Sequence, residues 1–84
     1  MDKIEFKIQE LMGIVFEMPS EEISIESSQD NLDNWDSLRH LDLVTTIEEE
    51  FDIEFPIEEI GNLVSFKLIY VILKEQIQIQ GKTY

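Results

Sequence analysis

From Lys3 to Phe16 the apolar residues Ile4, Ile8, Leu11, Met12 and Val15 recur at steps of four, three, one and three, the 3.6-residue period of an amphipathic helix. The same period returns twice. Between Leu38 and Phe51, Leu43, Val44, Ile47 and Phe51 make a broad apolar face, while Leu38 and Leu41 sit on another side near the start and are expected to be partly exposed. From Ser65, a suitable N-cap, to about Gln78 the stripe is Phe66, Ile69, Tyr70, Leu73 and Ile77, with Leu68, Val71 and Ile72 outside it. Helices that are apolar on one side can hide that side only against one another in a chain of 84 residues, so the spacing predicts an all-α domain.

The connections are equally constrained. Glu17 to Trp35 has no sustained period and is rich in Ser, Asp and Asn; at nineteen residues it exceeds the usual loop and is expected to be functional or pinned to the core by Ile23, Ile25 and Leu32. Asp36 or Ser37 then caps the second helix, with Asp42 early in it, where an acid suits the helix dipole. Pro56 disfavours helix at Phe55 and itself suits a first helical position, so a short third helix spans Ile57 to Ile60 and ends near Gly61. Gln76 to Gln80 alternates with period two, but five residues without a partner strand read better as a continuing helix that Gly81 stops. The whole chain, 1–84, reads as one domain with three principal helices and one short one.

Nineteen acidic residues against six basic ones give a net charge of −13, and between Glu17 and Glu59 Arg39 is the only basic residue. Such a field repels nucleic acid and anionic membranes and draws in proteins with basic patches. Without cysteine there is no disulfide framework, thiolate metal site or cysteine nucleophile. No apolar run approaches a membrane span and no charged-then-apolar leader opens the chain, so a cytoplasmic protein is expected.

Three constellations could carry chemistry. The oxygen-rich run Asp30-Asn31-Leu32-Asp33-Asn34-Trp35-Asp36 suggests calcium, yet no register supplies the glycine at the sixth and glutamate at the twelfth position of an EF-hand loop, and no metal site is expected. Ser37 with His40 could suggest a hydrolase, but the nucleophile-elbow glycines and a third group to orient the imidazole are missing; His40 is expected to be a packing or surface residue. The third is Ser37 alone, a hydroxyl at a helix start, where free N–H groups and the dipole favour a phosphate on the serine oxygen.

Asp36-Ser37-Leu38, followed by Leu41-Asp42-Leu43-Val44 and Ile47-Glu48-Glu49-Glu50-Phe51, closely resembles the acyl carrier protein family around its prosthetic-group site. Glu54-Phe55-Pro56 with Glu58 and Glu59 resembles the same family's approach to its third helix, at the same distance. The resemblance implies a four-helix bundle of acyl-carrier type and a 4'-phosphopantetheine on Ser37, donated by coenzyme A through a separate phosphopantetheinyl transferase. The chain would then catalyse nothing itself and would hold acyl groups as thioesters on the arm's thiol. Asp36 and Leu38 flank Ser37 in the implied attachment motif; Leu38, Leu41, Asp42, Glu48 and Glu49 match the helix that docks loading and transferring enzymes through their basic patches. A monomer is expected.

Departures from the family pattern point away from housekeeping fatty-acid synthesis and towards a specialised pathway. Asn34 stands where glycine is common, Trp35 is bulky beside the attachment point and either packs under the loop or fences the arm, and Arg39, His40 and Thr45 are unusual. The remaining readings are an aminoacyl or peptidyl carrier, disfavoured by the missing Gly-Gly before the motif, and an acidic protein-binding module without a prosthetic group. Large inner positions, among them Leu43, Ile47, Phe51, Phe66, Ile69 and Tyr70, imply that a long acyl chain would have to displace packed side chains, so short or polar cargo, or an arm left in solvent, is expected.

Overall fold

Asp2 starts the first helix with a reciprocal cap. Its carboxylate accepts the Glu5 N–H at 2.8 Å and the Glu5 carboxylate accepts the Asp2 N–H at 3.1 Å, satisfying two N–H groups that the helix itself leaves free. The computed structural model, which describes residues 2–83, then runs through α1 (Lys3–Phe16), a 3-10 turn (Ser20–Glu22), α2 (Ser37–Phe51), α3 (Ile57–Ile60) and α4 (Phe66–Ile79). This is the expected all-α architecture of three long helices and one short one. No described helix is long and apolar enough to cross a membrane.

The core is the meeting of the three stripes: Ile8, Leu11, Met12 and Phe16 of α1, Leu43, Val44, Ile47 and Phe51 of α2, and Phe66, Ile69, Leu73 and Ile77 of α4. The face of α4 is wider than the periodicity implied, because Ile72 and Gln76 are also buried while Tyr70 lies at the edge, half-buried. Tyr70 donates instead to the Asp2 carboxylate and accepts from Lys74 at 3.1 Å, tying α4 to the start of α1. That bond, with the Glu5 backbone bond second, holds the Asp2 carboxyl below its usual range.

Ser65 caps α4 through the Leu68 N–H at 3.1 Å. At the other end Gly81, at φ 68°, closes a Schellman turn in which the Lys82 N–H reaches Ile77 O and the Gly81 N–H reaches Gln78 O. Gln76 and Gln78 are helical, as expected, and Gln80 is the C-cap; Gln80 pairs through both amide atoms with the backbone of Glu54, and Lys82 meets Asp52 at 3.0 Å.

The long connection is pinned, but not by all the residues the sequence suggested. Ile23 is buried and Leu32 half-buried, whereas Ile25 is 43% exposed. A tight turn explains this: the Ser27 N–H donates to Ser24 O and the Ser27 hydroxyl accepts the Ser24 N–H at 3.0 Å, which buries Ser27 and turns Ile25 outward. Ser28 then bridges antiparallel to Ser65. Side-chain bonds to α1 hold the rest, Gln9 of α1 donating to Ser20 O and Ile23 O, and Asn34 of the connection donating to Phe16 O. Gly13 allows the close return of the chain, since a Cβ there would meet Met18 O at 3.0 Å.

Pro56 lies one residue earlier than a first helical position, as the residue preceding α3, with an extended ψ of 143°. Four residues are too few to bury a stripe, and none in α3 is fully buried.

Candidate functional site

Asp36, not Ser37, caps α2. Its backbone is extended and its carboxylate accepts the Arg39 N–H at 2.8 Å. Ser37 is therefore the first helical residue, exposed, and its hydroxyl makes no hydrogen bond among the described residues. The first intrahelical bond, from the His40 N–H to Asp36 O, leaves the N–H groups of Ser37 and Leu38 without helical acceptors beside that hydroxyl. A phosphodiester on Ser37 fits this position, where the positive end of α2 faces it.

Two residues that looked unusual in the sequence have partners only the tertiary structure supplies. Arg39 donates to Val15 O and to the Glu17 carboxylate, both at 2.9 Å, placing its charge on the carbonyl-rich end of α1, where Glu17 takes a left-handed conformation at φ 55°. His40 is buried. The Trp35 indole N–H, which can only donate, points at Nδ1 at 3.0 Å, so the proton sits on Nε2 and is donated to Ile60 O at 2.8 Å. His40 is a packing residue turned away from a hydrolytic role. Trp35 is likewise inside, its ring centroid 5.1 Å from that of Phe16, so it packs under the connection and does not fence the arm.

The outward side of α2 carries Leu38 and Leu41, 76% and 56% exposed, with Asp42 and Glu49 also in solvent. Ile57 of α3 is 85% exposed, an apolar residue that sequence reasoning did not single out. Its position directly after Pro56, in a helix too short to bury a stripe, was the available signal. Glu48 differs from its neighbour: it is half-buried and its carboxylate accepts the Phe55 N–H at 2.7 Å. It therefore holds the segment leading into α3, whatever it does for a partner.

In the oxygen-rich run before α2, Asn31 closes a turn, accepting from the Ser28 N–H and donating to Glu26 O. Among the described residues no group of three or more His, Cys, Asp or Glu is placed to hold a metal ion.

No protein-family model matches the sequence. A curated acyl carrier protein of Buchnera aphidicola subsp. Baizongia pistaciae (strain Bp) is 35% identical over 77 residues, covering 92% of this chain and 99% of that protein. The solution structure of a holo acyl carrier protein from Geobacter metallireducens superposes with a TM-score of 0.79 over 90% of this chain and 87% of that one; at 22% identity this likeness speaks for the fold. With sequence identity spread over nearly the whole chain and the helical fold in agreement, this chain belongs to the acyl carrier protein family, whose members are carriers and not enzymes.

Proposed function

We propose that Ser37 is the attachment point of a 4'-phosphopantetheine arm. The observation that carries this reading is the geometry of Ser37 itself, an exposed, unengaged hydroxyl on the first residue of α2, directly after a cap that leaves neighbouring N–H groups free. In the attachment step the Ser37 oxygen attacks the pyrophosphate of coenzyme A. A serine–phosphate bond forms, the pyrophosphate P–O bond breaks with 3',5'-adenosine bisphosphate as the leaving group, and the hydroxyl proton passes to a base of the transferase. The arm, once bound, supplies a thiol that holds acyl groups as thioesters, chemistry that a chain without cysteine otherwise lacks. The remaining work of the protein is to present Ser37 and to be recognised.

Recognition is assigned to the outward side of α2. Exposed Asp42 and Glu49 steer partners with basic patches, and Leu38 and Leu41 supply apolar contact area. Glu48 contributes charge but is engaged with Phe55. The partners are the phosphopantetheinyl transferase and acyl-loading or acyl-transferring enzymes. The carrier works in the cytoplasm, where a thiol-bearing arm stays reduced. It serves a specialised pathway, a reading supported by the Trp35 and His40 pair beneath the attachment point and by exposed Thr45 on the docking side.

Intact mass measurement after incubation with coenzyme A and a promiscuous transferase tests the reading. One added phosphopantetheinyl mass is expected, lost in Ser37→Ala without loss of folding. Addition at Ser20, Ser24, Ser27, Ser28 or Ser65, or no addition at all, refutes it, the latter favouring an acidic binding module.

A further inference from the structure

Ser37 heads a row of α2 that continues through Leu41, Val44 and Glu48, spaced four, three and four residues and so aligned along one side of the helix. That side meets the segment around α3. Glu48 holds one end of the segment through the Phe55 N–H at 2.7 Å, and His40, one turn beyond Ser37, holds the other by donating to Ile60 O at 2.8 Å. Between these bonds lies the seam of α2 with the α3 segment; an alkyl chain hung from Ser37 and entering there would have to part it on the way to the core, where Leu43, Ile47, Leu63 and Phe66 are fully buried. The α3 helix contributes little apolar anchoring of its own, with Ile60 half-buried and Ile57 in solvent. His40 is fixed from behind by Trp35, which rests on Phe16, so a continuous linkage runs from α1 through the connection and α2 to α3.

We propose that the Trp35–His40–Ile60 relay is a bolt that keeps the seam between α2 and α3 shut, making His40 and Trp35 positioning residues that set the class of cargo. The inference rests on the reading of Ser37 as the attachment point. Opening the seam strands the buried imidazole Nε2–H, which Trp35 holds in place through Nδ1, and the Ile60 carbonyl without partners, and displaces large packed side chains. Burial rewards a chain in proportion to its apolar area, so short or polar acyl groups gain little from entering. Such groups ride in solvent on the arm.

The test uses the full chain carrying the arm, verified by mass, and loaded with butyryl, octanoyl or dodecanoyl groups. The rate of thioester cleavage by hydroxylamine is compared with that of the same acyl-pantetheine free in solution. The unmodified sequence is expected to give one ratio for all three chains. In His40→Ala the dodecanoyl thioester should be cleaved at least about tenfold more slowly than the butyryl one, a factor that burial of about two methylenes provides. His40→Gln, whose amide can accept from Trp35 and donate to Ile60, should restore the original pattern, which a mere repair of volume would not do. If His40→Ala does not melt cooperatively, Trp35→Phe decides the matter: it keeps a ring against Phe16, removes the indole donor, and should protect long chains in the same direction.

Protection that grows with chain length in the unmodified sequence overturns the proposal. So does length-independent cleavage in the folded variant. If no arm appears in the mass spectrum, the attachment reading fails instead. The bolt is then judged by nitrogen NMR of the imidazole, where any neutral tautomer other than the Nε2-protonated one overturns it.

Discussion

The α3 and α4 helices lie a few residues apart in the chain and are held in opposite ways. The α4 helix has a serine cap, a Schellman turn and a wide apolar face led by Phe66, Ile69 and Leu73, all fully buried. The α3 helix has no side-chain cap and no fully buried residue; polar groups of α2 reach across to its two flanks. A helix with a long apolar face is fixed by area, which is non-directional and tolerant. A single turn of helix is fixed through its flanks, where Phe55 and Leu63 are buried, and by a few directional bonds to α2, each of which is a point where sequence can tune the motion of α3.

The most forceful way to break this contrast is at the α4 end. Phe66→Ala should destabilise the whole fold by about 3 to 5 kcal/mol, the usual cost of emptying a buried phenylalanine site. Denaturant unfolding would show it as a fall in midpoint for every probe together. Glu48→Ala is expected to act locally and less strongly, at about 1 to 3 kcal/mol for the lost charged acceptor of the Phe55 N–H. Amide exchange should quicken at Phe55 and residues 57–60 while α1 and α4 keep their protection; equal acceleration everywhere would show that α3 is not a separately held segment.

The outer side of α2 sharpens the comparison, because its residues hold nothing in place. Charge reversal at Asp42 and Glu49 should shift stability by no more than about 0.5 kcal/mol. It should nevertheless slow association with the transferase by about tenfold or more at low salt, with the difference narrowing as salt rises. Association rates that ignore both changes would remove the docking assignment. Glu48 is left out of this experiment because reversing it would disturb Phe55 as well.

The smallest effect concerns the Asp2–Tyr70 bond. Asp2 has a carboxyl depressed below its ordinary value of 3.8 chiefly by Tyr70, so its unfolded form binds a proton first as pH falls. The stabilisation from this bond is therefore fully present above about pH 4 and lost as pH drops through the depressed folded value. The melting temperatures of the native protein and Tyr70→Phe should accordingly differ slightly at neutral pH and converge in strong acid. A difference that persists unchanged to low pH would assign the effect of Tyr70 to packing.

Much of the fold was legible because helix period and helix punctuation are local properties. The boundaries of α1 and α3, the Ser65 cap and the stop at Gly81 all follow from residues within a few positions of one another. The Asp2–Glu5 capping box was equally local and readable from its three-residue spacing, though hydrophobic period alone does not reveal it. The same holds for the candidate site: the motif around Asp36-Ser37-Leu38 and the acidic side of α2 stand in consecutive turns. Choosing Asp36 over Ser37 as the cap needed backbone angles, because both side chains can serve.

What the sequence by itself determined is three one-sided helices, a fourth too short to stand alone, and a serine at a helix start amid acidic charge. Tertiary structure alone decided that Ile72 turns inward, that Arg39 clamps the end of α1, that Glu48 holds Phe55, and that His40 joins Trp35 to Ile60. The physical reason is range. Periodicity says which residues share a side of one element, but these polar side chains find partners five to twenty-four residues away, and the longer of those distances close only when the apolar stripes have already met.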